Sequence, residues 1–220
     1  MKFTPKFSPA LPRFALICDL ETFSTYVNAV VIEVGLVLID THNGEILHEH
    51  VHYFNQENQN GHYDQETHDW VKANIPEYVY NERMRYSNAV TDNKQSMLDL
   101  IQIIDNMLKN PVGDDLEDYA VYGNGSNFDQ PILSGLAQRL LDRNNVFKWN
   151  FKQELCLRSY TSLFCTKDEL KQLKDDCMEE LNEIFGRPMI LHTALDDARI
   201  EGRILHKLVS MFHNHLDSQN

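Results

Sequence analysis

No two of the four cysteines, Cys18, Cys156, Cys165 and Cys177, form a C-x-x-C pair. Neither a secreted disulfide framework nor a zinc site is indicated, and reduced thiols are expected. No apolar run is long enough for a signal peptide or a membrane span, so the expectation is a soluble, cytoplasmic chain. Basic residues are scarce, 20 against 33 acidic ones, for a formal charge of -13. Such a surface repels nucleic acid unless several carboxylates gather around divalent cations, which reverse the sign locally. Internal repeats, linkers and low-complexity stretches are also missing. With 42% apolar residues, 220 residues suffice for one domain, 1–220, with a sizeable core.

The patterning that is present begins with strands. RFALICDLET (13–22) and VNAVVIEVGLVLID (27–40) are apolar and rich in β-branched residues, and ILHEHVHYF (46–54) follows the turn signal THNGE. Together they predict an antiparallel meander over residues 13–54. The run 55–63 reads as a polar loop, 64–74 as a short helix stopped by Pro76, and 96–110 as a stronger helix before Pro111. A strand at 117–123, the turn-rich NGSNFDQP and the helical ILSGLAQRLLDR form half of an α/β crossover. Strand and helix compete over 155–164. A helix over 167–185 ends at Gly186 and Pro188, and a last helix spans about 193–213.

Three acidic stretches stand out. In CDLET, Asp19 and Glu21 project from one face of a strand end, about 7 Å apart. In GNGSNFDQPIL, Asp129 lies after a strand and before Pro131, suited either to capping a helix or to holding a carboxylate at a strand's carboxyl end. In LHTALDDA, His192 precedes Asp196 and Asp197 at the head of the last helix. There Ala194, Ala198, Gly202, Leu205, Val209 and Phe212 form a core-facing stripe. Asp197 falls at its edge, roughly 80° from the centre, and Asp196 on the opposite, polar face with Arg199, Arg203 and Lys207. The expectation is that Asp197 reaches a site and Asp196 makes exposed pairs with Arg199.

Asp-x-Glu, then Asp, then His-x-Ala-x-x-Asp, in that order, resembles the DEDDh branch of 3'-to-5' exonucleases on the ribonuclease H-like fold, over nearly the whole chain. Within the branch, GNGSNFDQPIL and HTALDDAR are most similar to the exonuclease A group of T-even-like phages and the related mycobacterial exoribonuclease-like proteins. The Val34-Gly35 pair also looks like the second strand of these enzymes. The polar segment 55–95 departs from either group.

The resemblance implies an α/β fold with a central mixed sheet, an antiparallel meander plus parallel strands, flanked by helices. It implies a bacterial cell or phage-infected host as the location. It implies that Asp19, Glu21, Asp129 and Asp197 bind two cations, with Asp19 bridging, and that His192 is the general base of a hydrolysis releasing 5'-mononucleotides from a 3' end. Carboxylates without cysteine or a second histidine suit Mg2+ or Mn2+. Single-stranded DNA is the favoured substrate and RNA ends the alternative, with a homodimer possible. Thr22 and Phe23 are placed to touch the terminal nucleotide, Phe23 as a stacking surface or as core, and Trp70 invites the same idea. Arg139, Arg143 and Lys148 are candidates for holding the strand or for a solvated face. A catalytically silent binding module, another two-metal phosphoesterase and a structural protein are the competing classes.

Overall fold

Apolar alternation makes FALICDLET and VIEVGLVLID strands β1 (Phe14–Thr22) and β2 (Val31–Asp40), and β2 is buried along its whole length. They belong to a computed structural model that describes residues 12–112, 119–125 and 128–217. β3 (Ile46–Tyr53) completes the expected meander, antiparallel to β2, and β2 is antiparallel to β1. β4 (Tyr119–Gly123) lies parallel to β1 on its other side, and β5 (Glu154–Cys156) parallel to β4, giving the order β3-β2-β1-β4-β5. The carboxyl ends of β1 and β4 are therefore neighbours, the position at which open α/β sheets place ligands.

Helices α1 (Gln65–Asn74), α2 (Glu77–Ala89) and α3 (Asn93–Val112) follow the meander. α4 (Asp129–Leu141) follows β4, and α5 (Leu157–Phe164), α6 (Lys167–Phe185) and α7 (Ala194–Asp217) follow β5. The disputed stretch 155–164 is thus the end of a short strand running straight into a helix. α2 was not foreseen, because its sequence is polar; it is anchored by the buried Arg83 and by the Ser87 hydroxyl, which donates to the Phe54 carbonyl at 2.7 Å. α3 runs past Pro111 to Val112 instead of stopping before the proline.

Successive β1 residues face opposite layers. Leu16, Cys18 and Leu20 join Met97 and Leu100 of α3 and Ile132 and Leu133 of α4, whereas Ala15 and Ile17 join Ala198, Leu205 and Val209 of α7. A second α7 stripe, Ile200, Ile204 and Leu208, packs on Cys177 and Leu181 of α6. Burying each Leu or Ile contributes roughly 1.5–3 kcal/mol. Apolar packing on two sides, therefore, fixes α7 in place against the repulsion of the acidic groups described next. Among the described residues, no helix is long and apolar enough to cross a membrane.

Candidate metal centre

Asp19 sits opposite Gly35 in the antiparallel register of β1 and β2. A Cβ on Gly35 would lie 2.1 Å from the Ala194 carbonyl oxygen, so only glycine lets the first turn of α7 rest on the sheet at this point. That contact carries Asp197, one turn along, to the β1 carboxylates. Oxygen atoms of Asp19, Glu21 and Asp197 all lie within 4.8 Å of one another. Asp129 reaches the same end of the sheet from the first turn of α4, its Oδ2 accepting the Asn124 N–H at 2.9 Å. A Cβ on Gly123 would come within 2.7 Å of that oxygen, which explains glycine at the end of β4.

His192 stands just before α7 in the left-handed region, φ 62°. Its N–H donates to Asp197 Oδ2 at 2.7 Å, and its carbonyl accepts from Arg83 Nη2 at 2.5 Å. Two such bonds hold a conformation that costs a non-glycine residue of order 1–3 kcal/mol. The imidazole lies edge-on to Trp70, ring centroids 5.0 Å apart. Both rings border a cavity of about 530 Å³ that also exposes Asp19, Glu21, Thr22 and Asp197. A second cavity of about 400 Å³ shares Asp19, His192 and Asp197 and is lined as well by Arg158, Lys174 and Glu201.

The electrostatics are those of carboxylates crowded into a buried space, where desolvation outweighs the nearby Arg83 and Lys174. Burial, and then the carboxylates of Glu201, Asp129, Glu21 and Asp197, push Asp19 well above the ordinary range. Burial does the same to Glu21 in spite of Arg83, and to Glu201. Asp197 is raised by burial in spite of Lys174 and the His192 N–H. Asp129 is pushed up to about 6 by burial, against the N–H groups of Asn124, Leu20 and its own residue. Closely spaced, all-oxygen donors with unfavourable charge on one another are a good fit for hard divalent cations.

A pH dependence follows with a definite sign. A carboxyl whose folded pKa is raised binds more protons in the native state, so its stabilising contribution is present below the ordinary value and lost as pH rises through the folded one. For Asp129 that window runs from 3.8 to about 6. His52, held down to about 4 chiefly by burial, has the opposite slope over part of the same range. The metal-induced increment isolates the site, because a cation must displace those protons. Mg2+ is expected to raise the melting temperature little near pH 5 and increasingly towards pH 7. A pH-independent increment, measured by calorimetry, would remove these carboxyls from the cation site.

The structure thus brings Asp19, Glu21, Asp197 and His192 together around one cavity, with Asp129 as a charged neighbour of Asp19, and corrects other expectations. Asp196 is not exposed: it is 3% accessible and accepts from Arg187 Nη1 and Nη2, from Arg199 Nη1 at 2.7 Å and from the Ile190 N–H. The foreseen partner, Arg199, is itself buried, forked onto Glu49 of β3 and stacked over Phe185 of α6. Phe23 does not reach the cavity; it is fully buried with Val30 and Ile32 and edge-on to Tyr63 and His68. Thr22 does line the cavity, its hydroxyl donating to the Ser24 carbonyl at 2.7 Å. Trp70, 51% exposed, supplies the accessible aromatic face. Arg139 donates to the Gln59 and Ala29 carbonyls and Lys148 pairs with Asp105, so both are engaged in other contacts.

Three charged residues were missed. Arg83 and Glu33 form a buried pair at 2.5 Å, with Glu33 also accepting the Ala194 N–H and Arg83 lying 3.6 Å from Glu21. No local sequence signal marks a pair 50 positions apart. Glu201 could have been found, since it falls one turn beyond Asp197 on the same edge of the α7 stripe.

Comparison with known proteins shows a family and a shared fold. The model of a family described as the 3'-5' exoribonuclease Rv2179c-like domain matches residues 15–209. No curated protein sequence matches. Among solved structures, the nuclease domain of 3'hExo, a DEDDh family member bound to rAMP, is similar with a TM-score of 0.58 at 18% identity, over 90% of this chain and 92% of that one. Pop2p of S. pombe, in a form with Mg2+ and Mn2+ bound, gives 0.55 at 13% identity over 91% and 83%. A 3'-exonuclease recognising the 3' end of the histone mRNA stem-loop gives 0.57 at 18% identity over 91% and 83%. These three share the fold of this chain, a mixed five-stranded sheet flanked by helices.

Proposed function

Because the chain belongs to the family of Rv2179c-like 3'-5' exoribonuclease domains, we propose that it is a 3'-5' exonuclease of the DEDDh type acting on nucleic acid, that Asp19, Glu21, Asp129 and Asp197 hold two divalent cations, Mg2+ or Mn2+, and that His192 is the general base releasing 5'-mononucleotides. The observation that carries this reading is convergence: Asp19, Glu21 and Asp197 lie within 4.8 Å of one another beside the His192 ring, and Asp129 comes to the same carboxyl ends of β1 and β4, so that three separate segments of chain meet there. When bound, the cations would make a water nucleophilic and offset the charge on the departing 3' oxygen.

The chain's own residues supply the rest. Asp19, bordering both cavities, would be the ligand common to the two cations. His192 is fixed at its backbone by Asp197 and Arg83, which leaves its ring free to take a proton from the attacking water. Trp70 offers a stacking face to the terminal base, with Thr22 lining the same cavity. Arg158 and Lys174, at the second cavity, are placed to meet the phosphates of the incoming strand. The family description favours RNA over the DNA expected from the sequence.

One digestion series tests the reading, using matched single-stranded and duplex RNA and DNA, with and without Mg2+ or Mn2+. Expected are 5'-mononucleotides from the 3' end, faster from RNA, and none under chelation. Faster release from DNA would reverse the substrate assignment, and metal-independent release would end the cation mechanism. In the same series His192→Ala is expected to lose about 10²–10⁴-fold in turnover while still binding Mn2+. Trp70→Ala should raise KM more than it lowers kcat; an unchanged KM takes the tryptophan out of the binding site.

A further inference from the structure

Glu201 occupies the turn of α7 after Asp197, on the same face. Only 6% of it is exposed, and its Oε2 has no hydrogen-bond partner among the described residues. Its one hydrogen bond of note comes from the Asn124 side chain, in the loop whose backbone also holds Asp129. An apolar side chain would fill this buried position without electrostatic cost, whereas a half-satisfied carboxylate is unfavourable until a cation or further donor faces it.

The two cavities say where that cation belongs. Glu21 lines the first and Glu201 the second, while Asp19, His192 and Asp197 border both. Glu201 and Glu21 thus face different cavities that meet at Asp19, and Asp19, Asp129 and Asp197 are the charged neighbours of Glu201. We propose that Glu201 is a fifth carboxylate of the centre, supplying with Asp129 the oxygen donors that hold the second divalent cation at the second cavity. Lys174, on the rim of the same cavity, limits the excess of negative charge there.

This inference rests on the two-cation reading, and calorimetric titration of the metal-free, full-length protein with Mn2+ separates the two. Wild type is expected to bind two Mn2+ ions, and Glu201→Gln to weaken the second step by about 10- to 100-fold with the first unchanged. Its metal-free melting temperature is expected to equal or exceed that of wild type, since a buried charge is removed while Asn124 keeps its acceptor. Two wild-type affinities in Glu201→Gln overturn the assignment and leave the two-cation reading standing. A single wild-type step removes that reading and the proposal with it. A lowered metal-free melting temperature with unaltered Mn2+ affinities identifies a purely structural glutamate. Glu201→Asp, which keeps the charge but withdraws it by one methylene, provides the same titration if the glutamine variant does not fold, and an unweakened second step there also overturns the assignment.

Discussion

Asp197→Asn is expected to lower the release of mononucleotides from a 3'-labelled strand by about 10³-fold or more, roughly 4 kcal/mol of transition-state stabilisation. Its fold should survive. Asp197 Oδ2 accepts the His192 N–H, a bond the amide oxygen can keep, and burial together with neighbouring Asp196 disfavours the charge that is removed. The metal-free melting temperature is therefore expected to stay level or rise, while the increment given by Mg2+ shrinks. Asp196→Asn should do the opposite. Its carboxylate accepts four bonds, from both Arg187 Nη groups, Arg199 and the Ile190 N–H, and an amide has one acceptor where two are needed. A loss of about 2–3 kcal/mol is expected, or roughly 5–10 °C in melting temperature, with turnover per folded molecule near that of wild type. If the folded Asp196→Asn protein loses turnover as Asp197→Asn does, assigning the two aspartates to different tasks fails.

The separation of these aspartates shows how far local pattern carries. One residue is 100° of helix, so the stripe of Ala194, Ala198, Leu205 and Val209 places Asp197 near the sheet and turns Asp196 away from it. What lies on the far side is invisible to a helical wheel. α6 and the β3 strand close over it, so Arg199 meets Glu49 and Phe185 while Arg203 and Lys207 meet Glu180. The meander, with its long apolar strands and the THNGE turn, was legible for the same reason as the stripe: each rests on a short period. Phe23 reads equally as core or as platform from its sequence because a lone aromatic has no period. Val30 and Ile32, across a turn, decide it for the core. The polar segment 55–95 lacks any period of its own, and it contributes Trp70 and Arg83, whose partners come from distant parts of the chain.

Arg83→Met is expected to cost about 3–5 kcal/mol of stability, the range for removing one partner of a buried ion pair. In a protein whose total is of order 5–15 kcal/mol, that is the largest single-residue loss anticipated here. Glu21 and Glu33 are directly opposite in the β1/β2 register, both almost inaccessible, and Arg83 is the cation between them. Without it two carboxylates would share a dry space. Glu33 would also lose the charge balance under which it caps the first N–H of α7, and the His192 carbonyl would lose its donor. The contacts are unequal in a way that suits the site: Nε bonds Glu33 at 2.5 Å, whereas Nη1 stays 3.6 Å from Glu21 and makes no hydrogen bond. Glu21 is steadied electrostatically while its oxygens remain open to a cation. Urea unfolding of Arg83→Met without metal should show the full loss, and the double variant Arg83→Met, Glu33→Gln should regain part of it, because one of the two uncompensated charges is gone. A single-variant loss below about 1 kcal/mol would place the pair among contacts of no consequence, contrary to its burial.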